Sequence, residues 1–496
     1  AGGGCGVSAP PGIPASGRTE GAARSGPEME RDRTHWSQVK VVGIIVKWQA
    51  HGQCVCMSTR TKRHRPVELK RDRARFRSSP ALSSPAVEAR LTELISPATY
   101  ALVDYYHQLG LRERVLTLPV MVAMVVAMIW RQVPKVAELV RPVAREGALW
   151  APPVQPTEQA FNTRLRCLPA SLFGEVFRTV LPALLERSSA RTRPQPPVVS
   201  DALGRFQRIW VVDATTLEEV SRKVGLLQGV AQTVLGGKLL AILDLPSKLP
   251  LHLWLDGDSN VNEKSFLDRI KTVLVPGTLL ILDAGFYAFP FFDWLTDKAV
   301  SFVIRARTSS AFKVQRVLAQ TPQVRDQIIA LGQYRSNPCR HPVRRVEVSV
   351  GGTWRAYLTN VLDPEVLSAA DVADLYARRW KIEDAFLLVK RLLGLAYLWK
   401  GAFNAIELQV WATWLLYAVL IDLSDAVAQE LSLPLERISI EMVYRGLYHF
   451  TVAYSKGLAS DPVAYLASQT DLGIVKRLRK RKQPRALDKG PPHLNL

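Results

Sequence analysis

Hydrophobic and polar residues follow two different patterns along this chain, and the change falls near position 200. Before it, apolar residues recur every three or four positions, which is typical of helices packed on a core. Residues 90–109 predict an amphipathic helix, residues 115–130 a fully buried one and residues 134–143 a short one. Further helices are predicted from Thr157, whose side chain can cap a helix, and over residues 171–185.

The two predicted helices on either side of Pro169 allow two interpretations. The first helix carries Arg164 and Arg166 beside its apolar positions. Two short helices joined by a turn can place basic side chains in a DNA groove, as in a helix-turn-helix. The same pattern also fits an ordinary helical bundle with solvated arginines. Arg164 and Arg166 are candidate DNA-binding residues under the first interpretation, and the sequence does not decide between the two.

After position 200, short apolar strands alternate with helices, a pattern typical of a mixed sheet with helices on its faces. Residues 209–213 predict a buried strand that ends in Asp213, and residues 278–283 predict another that ends in Asp283. Residues 307–363 interrupt the alternation with strand-like runs around a Gly-Gly pair, which predict a β-rich insertion. The remaining predicted elements are strands over residues 239–245, 251–255 and 300–304 and helices over residues 262–273 and 406–428.

A charged helix is predicted over residues 376–390. At about 100° per residue, Tyr376, Arg379, Glu383 and Lys390 fall within a stripe roughly 60° wide, next to an apolar stripe that can face a core. A carboxylate in such a stripe can hold a divalent metal ion, and Arg and Lys can hold phosphates. The alternative is a solvated face with an ordinary Arg379–Glu383 ion pair.

Three acids form a candidate metal site. Asp213 and Asp283 are each predicted at the carboxyl end of a buried strand, where an α/β sheet presents side chains to a crevice, and Glu383 is predicted on a helix after the insertion. Three such carboxylates can hold two Mg²⁺ ions for phosphodiester chemistry. Taken singly, each aspartate is more typical of a turn or a cap. Their order along the chain is what favours a joint site.

Composition points to a polyanionic partner. The chain has 496 residues, a net charge of +21 and a pI near 9.9. Such an excess favours nucleic acid over a membrane surface. The five cysteines have no zinc or disulfide spacing, which fits a reducing cytoplasm. The apolar run over residues 115–130 is too short to span a bilayer and contains Pro119, so no membrane association is expected.

The two ends of the chain have the composition of unfolded segments. Residues 1–86 are predicted to be disordered and basic, with a phosphate-binding run over residues 60–77 and a natural start at Met57. Residues 476–482 form a second basic run. The domain prediction is a disordered segment (1–86), a helical DNA-binding domain (87–187), a linker (188–200), a catalytic core (201–306 and 364–460), a β-rich insertion (307–363) and a basic tail (461–496).

The motifs around these acids resemble those of a known family. Val212-Asp213-Ala214-Thr215-Thr216, Leu282-Asp283-Ala284-Gly285-Phe286 and a filled Tyr-x2-Arg-x3-Glu-x6-Lys pattern at Tyr376, Arg379, Glu383 and Lys390 are similar to those of bacterial DDE transposases. The resemblance is to the fourth insertion-sequence family and covers about residues 90–460. Leu358-Thr359-Asn360, which precedes the last pattern, supports the alignment.

This resemblance implies a fold and a mechanism. The fold would be α/β: an RNase H-like mixed-sheet catalytic core with a β-rich insertion, preceded by a helical N-terminal domain. Asp213, Asp283 and Glu383 would bind two Mg²⁺ ions, with Mn²⁺ as a substitute, and Tyr376, Arg379 and Lys390 would bind phosphates near the transposon end. The family cuts its element free through a hairpin and joins the 3′-hydroxyl to target DNA.

Further expectations follow from the same resemblance. Trp354 is the nearest candidate for stacking the flipped base of the hairpin, one residue off the expected register, which on a strand would reverse its face. The expected partners are double-stranded DNA, as terminal inverted repeats and target, and a second copy of the chain on that DNA. The expected location is the bacterial cytoplasm, at the nucleoid. The alternative function is a catalytically inactive DNA-binding protein derived from a transposase.

Overall fold

The computed structural model describes residues 85–112, 114–133, 135–217, 237–395, 398–399, 402–469 and 471–476. Predictions for residues 1–84, including the Met57 start and the basic run, lie outside the described residues. So does most of the basic run over residues 476–482, of which Lys476 is described.

Helices form the region before the sheet, as predicted. All residues of the apolar helix Leu118–Trp130 are buried, which confirms a core helix at this position. The predicted cap is also present, because the Thr157 side chain accepts a hydrogen bond from the backbone N–H of Ala160 at 3.1 Å. The described helices here are α1 (Pro85–Ala101), α2 (Val103–Gln108), α3 (Leu118–Trp130), α4 (Val136–Glu146), α5 (Glu158–Cys167), α6 (Ser171–Ala190) and α7 (Pro197–Leu203).

Nine strands of the described residues form one mixed sheet, with the order β3-β2-β1-β4-β5-β9-β8-β7-β6. Strands β1, β2 and β3 are antiparallel neighbours, whereas β1, β4 and β5 run parallel. This is the predicted α/β class, a mixed sheet with helices on its faces. The strands are β1 (Arg208–Thr216), β2 (Lys238–Asp244), β3 (Pro250–Asp256), β4 (Thr278–Leu282), β5 (Ser301–Arg305), β6 (Phe312–Gln320), β7 (Val324–Leu331), β8 (Val343–Val350) and β9 (Thr353–Thr359).

Helices cover both faces of the strands nearest the site. Along the chain, α8 (Leu267–Val273) precedes β4 and α9 (Phe289–Asp297) follows it. After the sheet come α10 (Ala369–Ala377), α11 (Trp380–Arg391), α12 (Phe403–Glu430), α13 (Ile440–Ser455) and α14 (Pro462–Ser468). Two buried cores result, one under α8 and α9 and a larger one under α6, α11 and α12.

The predicted β-rich insertion continues the core sheet. Its last strand, β9, pairs with β5 of the core on one side and with β8 on the other. Asn360, directly after β9, extends this junction, because its side chain accepts from the Phe302 N–H at 2.9 Å and donates to the Val300 carbonyl at 2.9 Å. The insertion therefore has no separate sheet of its own among the described residues.

A buried ion pair fastens the insertion to the helices that follow. Arg344 of β8 is fully buried and donates two hydrogen bonds to Asp326 of β7, at 2.8 and 2.6 Å. The same guanidinium donates to the Leu367 carbonyl at 2.6 Å, directly before the Ser368 cap of α10. The start of α10, and with it the position of α11, thus depends on a side chain of the insertion.

Helix α12 is the apolar helix predicted near residue 406, and it is the centre of the larger core. By length and composition it could cross a membrane, but 94% of its most apolar window is buried inside the protein. Its buried Asp422 and Asp425 form salt bridges with Arg90, Arg191 and Arg193. Arg191 and Arg193 lie in the stretch predicted as a linker, so this stretch is anchored to α12.

The Arg344–Asp326 pair gives a stability prediction. Asp326→Ala leaves a buried, uncompensated guanidinium and should lower the free energy of unfolding by about 3–5 kcal/mol, read from urea midpoints. Glu441→Ala, which removes an exposed partner of Arg445, should cost less than about 1 kcal/mol. The double variant Asp326→Leu with Arg344→Met should recover only part of the loss, because the Leu367 carbonyl then lacks its donor. Equal midpoints for Asp326→Ala and Glu441→Ala would contradict this role.

Candidate active site

Asp213 and Asp283 lie side by side on adjacent parallel strands. The last parallel pair of β1 and β4 is Val212 with Leu282, so the two aspartates are the next positions in register. The prediction that β1 ends at Asp213 was wrong: the strand continues to Thr216 because β2 still pairs with it there. Strand β4 ends at Leu282, one residue before its predicted end at Asp283.

Both aspartates lie on the same face of the sheet. Val211 and Ile281 belong to the larger core, whereas Val212 and Leu282 belong to the core under α8 and α9. Side chains two residues apart on a strand share a face. Asp213 and Asp283 therefore point to the side where α10 and α11 lie.

The predicted helix over residues 376–390 is in fact two helices. Helix α10 ends at Ala377 and α11 begins at Trp380. At the break, the Arg379 N–H donates to the Tyr376 carbonyl and the Ile382 N–H donates to the Arg379 carbonyl, both over three residues as in a 3-10 turn. The predicted single helix is thus corrected to two helices separated by Arg378 and Arg379, and Arg379 stands directly before α11.

Arg379 contacts all three acids. Its Nη1 lies 2.5 Å from Oδ2 of Asp213 and 3.5 Å from Oδ1 of Asp283, and its Nη2 lies 2.7 Å from Oε1 of Glu383. Oxygens that approach one guanidinium this closely are necessarily neighbours. The structure therefore brings Asp213, Asp283 and Glu383 together, as the sequence predicted, with a cation between them.

Lys390 and Tyr376 flank the same site. Lys390 is buried, and its Nζ donates to the Thr215 hydroxyl and, at 2.6 Å, to the Thr216 carbonyl at the end of β1. The ring of Tyr376 packs on that of Tyr357, with 5.1 Å between centroids, and Arg379 lies 5.9 Å from its centre. All four residues of the Tyr-Arg-Glu-Lys pattern thus surround the end of β1.

The other candidate residues make their contacts elsewhere. Arg164 donates to the hydroxyl of Tyr106 at 2.7 Å within the helical region, and Arg166 is exposed on α5. Trp354 is 38% exposed on β9, with the Arg325 guanidinium 4.6 Å from its ring centre. Because it lies three residues before Tyr357 on an unbroken strand, Trp354 faces away from Tyr376 and the acids.

Sequence reasoning missed the residues that support the turn after Asp283. The Gly285 N–H donates to Asp283 at 3.0 Å, and Arg307 donates to the Ala284 carbonyl at 2.8 Å. A side chain at Gly285 would collide with the carboxylate of Glu263. The Gly in Asp-Ala-Gly was a signal for a close approach, but Arg307 and Glu263 carry no local signal.

Burial controls the charge of Asp213. It raises the pKa of this carboxyl to about 7, against the lowering effect of Arg379, and the charges of Asp283 and Glu383 raise it further. Burial likewise raises the pKa of the Tyr376 phenol to about 12. Near neutral pH, both the protonated and the charged form of Asp213 are thus populated.

The acids have the chemistry of a divalent-cation site, but they are arranged around a guanidinium. Carboxylate oxygens are the ligands that Mg²⁺ and Mn²⁺ prefer. Among the described residues, no group of three or more His, Cys, Asp or Glu side chains is set at metal-binding geometry. The oxygens of the three carboxylates fit such an ion. In this structure the guanidinium of Arg379 lies between them and supplies the positive charge instead.

Known proteins with related sequences share this region. Residues 204–419 match the sequence model of a family described as "Transposase DDE domain". "Putative transposase y4zB" of Sinorhizobium fredii is 25% identical over 299 residues, which are 58% of this chain and 77% of that protein. The range matched by the family model contains Asp213, Asp283 and Glu383. The cryo-EM structure of the piggyBac transposase synaptic complex with hairpin DNA aligns with 74% of this chain and 79% of its own, at 10% identity and a TM-score of 0.34.

The raised pKa of Asp213 predicts a stability change with pH. Its pKa is about 7 in the folded protein against an ordinary value of 3.8, so the folded state binds the proton more tightly. The contribution of protonated Asp213 to the free energy of unfolding is therefore fully present below about pH 3.8 and is lost as the pH rises through about 7. Asp213→Asn escapes this loss, and its gain should grow from pH 4 to pH 7 and then level off at roughly 2–4 kcal/mol.

Urea midpoints of the wild type and Asp213→Asn between pH 4 and pH 8 measure this gain. Asp268→Asn on α8 is the matched control, because its side chain is 92% exposed, and it should show no such trend. A gain that does not change with pH, or a loss of stability at pH 8, would contradict the buried charge at Asp213.

Proposed function

We propose that this chain, whose residues 204–419 match a DDE transposase domain, is a transposase of the insertion-sequence type that cuts the ends of a DNA element and joins them to target DNA. The reaction is phosphodiester hydrolysis followed by transesterification. The proposed substrates are the terminal inverted repeats of the element and the target duplex. A net charge of +21 supports a DNA partner, since phosphate neutralisation supplies most of the non-specific affinity for DNA.

The observation that supports this proposal is the convergence of acids from β1, β4 and α11 on one guanidinium. Asp213, Asp283 and Glu383 all lie within 3.5 Å of Arg379. Three carboxylates this close repel one another and need a positive charge between them. Once Arg379 moves aside, they form an acidic pocket suited to divalent ions.

We propose that Asp213, Asp283 and Glu383 hold two Mg²⁺ ions, with Mn²⁺ as a substitute. The chemistry that such ions supply is activation of the attacking oxygen and stabilisation of the leaving oxygen in displacement at phosphorus. The three side chains contribute their charge and fix the position of the site between the two strands and α11. Asp213 must give up its proton to take part.

Arg379, Lys390 and Tyr376 are the proposed phosphate-binding residues. A guanidinium binds carboxylates and phosphates through the same paired N–H groups, so Arg379 can exchange one for the other. Lys390 holds the Thr215–Thr216 end of β1 and lies where it can reach a phosphate beside the acids. Joining two transposon ends requires two copies of the site, so we propose a homodimer on DNA in the bacterial cytoplasm.

Glu383→Gln tests the proposed reaction. The amide keeps the size of the side chain but removes one carboxylate, so cleavage of DNA carrying the element's own ends should fall by at least about 10²–10³-fold. Binding to the same DNA should be retained. Cleavage is followed on gels with Mg²⁺ and binding by mobility shift. Glu365→Gln, which changes an exposed acid before α10, is the control and should cleave normally.

The outcomes separate the proposed function from its alternative. Full cleavage by Glu383→Gln would exclude the proposed role of this acid. A wild-type protein that binds its ends but neither cleaves nor transfers them would be an inactive DNA-binding relative instead.

Arg379→Ala tests whether the guanidinium competes with metal ions. Removing its charge from three carboxylates should tighten Mn²⁺ binding without DNA by about tenfold or more, as measured by electron paramagnetic resonance. Arg379→Lys should lie between the two. The control is Arg378→Ala, because Arg378 pairs with Asp374 and Glu436 and not with the site. Identical Mn²⁺ affinities for Arg379→Ala and the wild type would show that Arg379 does not compete.

A further inference from the structure

A second charged cavity lies on the reverse side of α11. Its volume is about 210 Å³, and α11, α12, α13, Lys248 and Lys476 enclose it. Lys381, Asp384, Leu388 and Arg391 line it from one face of α11, at the spacing of three, seven and ten residues expected for one side of a helix. Glu383 and Lys390 lie seven residues apart on another face, towards the acids.

Cations outnumber acids in this cavity. Its charged lining consists of Lys248, Lys381, Arg391, Arg445 and Lys476 with Asp384 and Glu441. Arg445 and Glu441 neutralise each other at 2.9 Å. Within the part of the chain that the structure describes, Lys381, Arg391 and Lys476 form no salt bridge. Three cations therefore face the cavity against the single charge of Asp384.

Lys248 forms the buried floor of the cavity and is held there by its turn. Its backbone has a φ of +60°, a conformation that residues with a side chain disfavour. Asp244 fixes the turn by accepting from the Ser247 N–H and hydroxyl at 3.0 and 2.6 Å. The Nζ of Lys248 donates to the Leu435 carbonyl at 2.9 Å. One lysine amine is thus kept under the cavity at a cost to the backbone.

The position of Lys248 is also electrostatically unfavourable without an anion. Burial lowers the pKa of this ammonium well below its ordinary value, and the charges of Lys476 and Lys381 lower it further. Like charges concentrated in a partly desolvated cavity raise the free energy of the protein. An anion in the cavity would offset this repulsion.

We propose that this cavity binds a phosphate of the DNA backbone, a contact additional to those at the three acids. This inference rests on the proposed function, which supplies the DNA. Lysine and arginine groups donate to phosphate oxygens, and a phosphate fits the volume. A DNA phosphate is favoured over a small anion because the chain carries a net charge of +21 and its proposed substrate is DNA.

The salt dependence of DNA binding tests the cavity. Lys381→Ala with Arg391→Ala removes two lining charges while leaving buried Lys248 in place, so folding should be preserved. The slope of log K against log salt should fall by about 1, equally for end-containing and scrambled duplexes, because one phosphate contact is lost and a backbone contact carries no sequence information. Lys271→Ala with Arg269→Ala is the control, since α8 packs on the opposite face of the sheet and the slope should not change.

Two outcomes overturn the proposal, and a phosphate measurement then identifies what the cavity binds instead. An unchanged slope in the cavity variant, with normal DNA binding by the wild type, would reject this contact and leave the proposed function intact. A wild-type protein that does not bind DNA would reject both. If inorganic phosphate protects the wild type but not the cavity variant from thermal unfolding, while the DNA slope is unchanged, the cavity is a small-anion site and not a DNA contact.

Discussion

Mutual repulsion among three carboxylates is the constraint around which this part of the protein is organised. Asp213 and Asp283 are adjacent in register on parallel strands, so the sheet alone would hold two like charges together. Glu383 adds a third from α11. The guanidinium of Arg379 balances them, and its reach fixes how closely α11 must approach the sheet. Burial of Asp213 makes this balance sensitive, because the same carboxyl is stable both with and without its proton near pH 7.

The sequence predicted the strands of the core well because their signals are local. Buried strands read as continuous apolar runs, and Asp283 directly follows one of them. The β-rich insertion was recognisable from alternation around its glycines. Asp213 was misplaced at a strand end because pairing with β2, which extends β1 to Thr216, is a contact with a distant part of the chain.

The rest of the site depends on tertiary contacts that no local pattern carries. Tyr-Ala-Arg-Arg-Trp-Lys contains neither Gly nor Pro, so helix propensity alone predicts an unbroken helix. The helix break at Arg379 accompanies the contact of Arg379 with Asp213, 166 residues earlier. Lys390 with Thr215, and Arg344 with Leu367, are likewise visible only in three dimensions. The basic cavity behind α11 combines residues from five separate segments.

Strand β9 makes the insertion part of the core sheet, so the core cannot be separated from it. Strand β9 is hydrogen-bonded to β5 as well as to β8. Deleting the insertion would therefore expose the backbone N–H and C=O groups of β5, and an exposed edge strand favours aggregation. Grafting a foreign domain at this point would also have to replace the arginine that secures α10. Natural length variation should therefore be confined to the outer hairpin of β6 and β7, the end of the sheet farthest from β5.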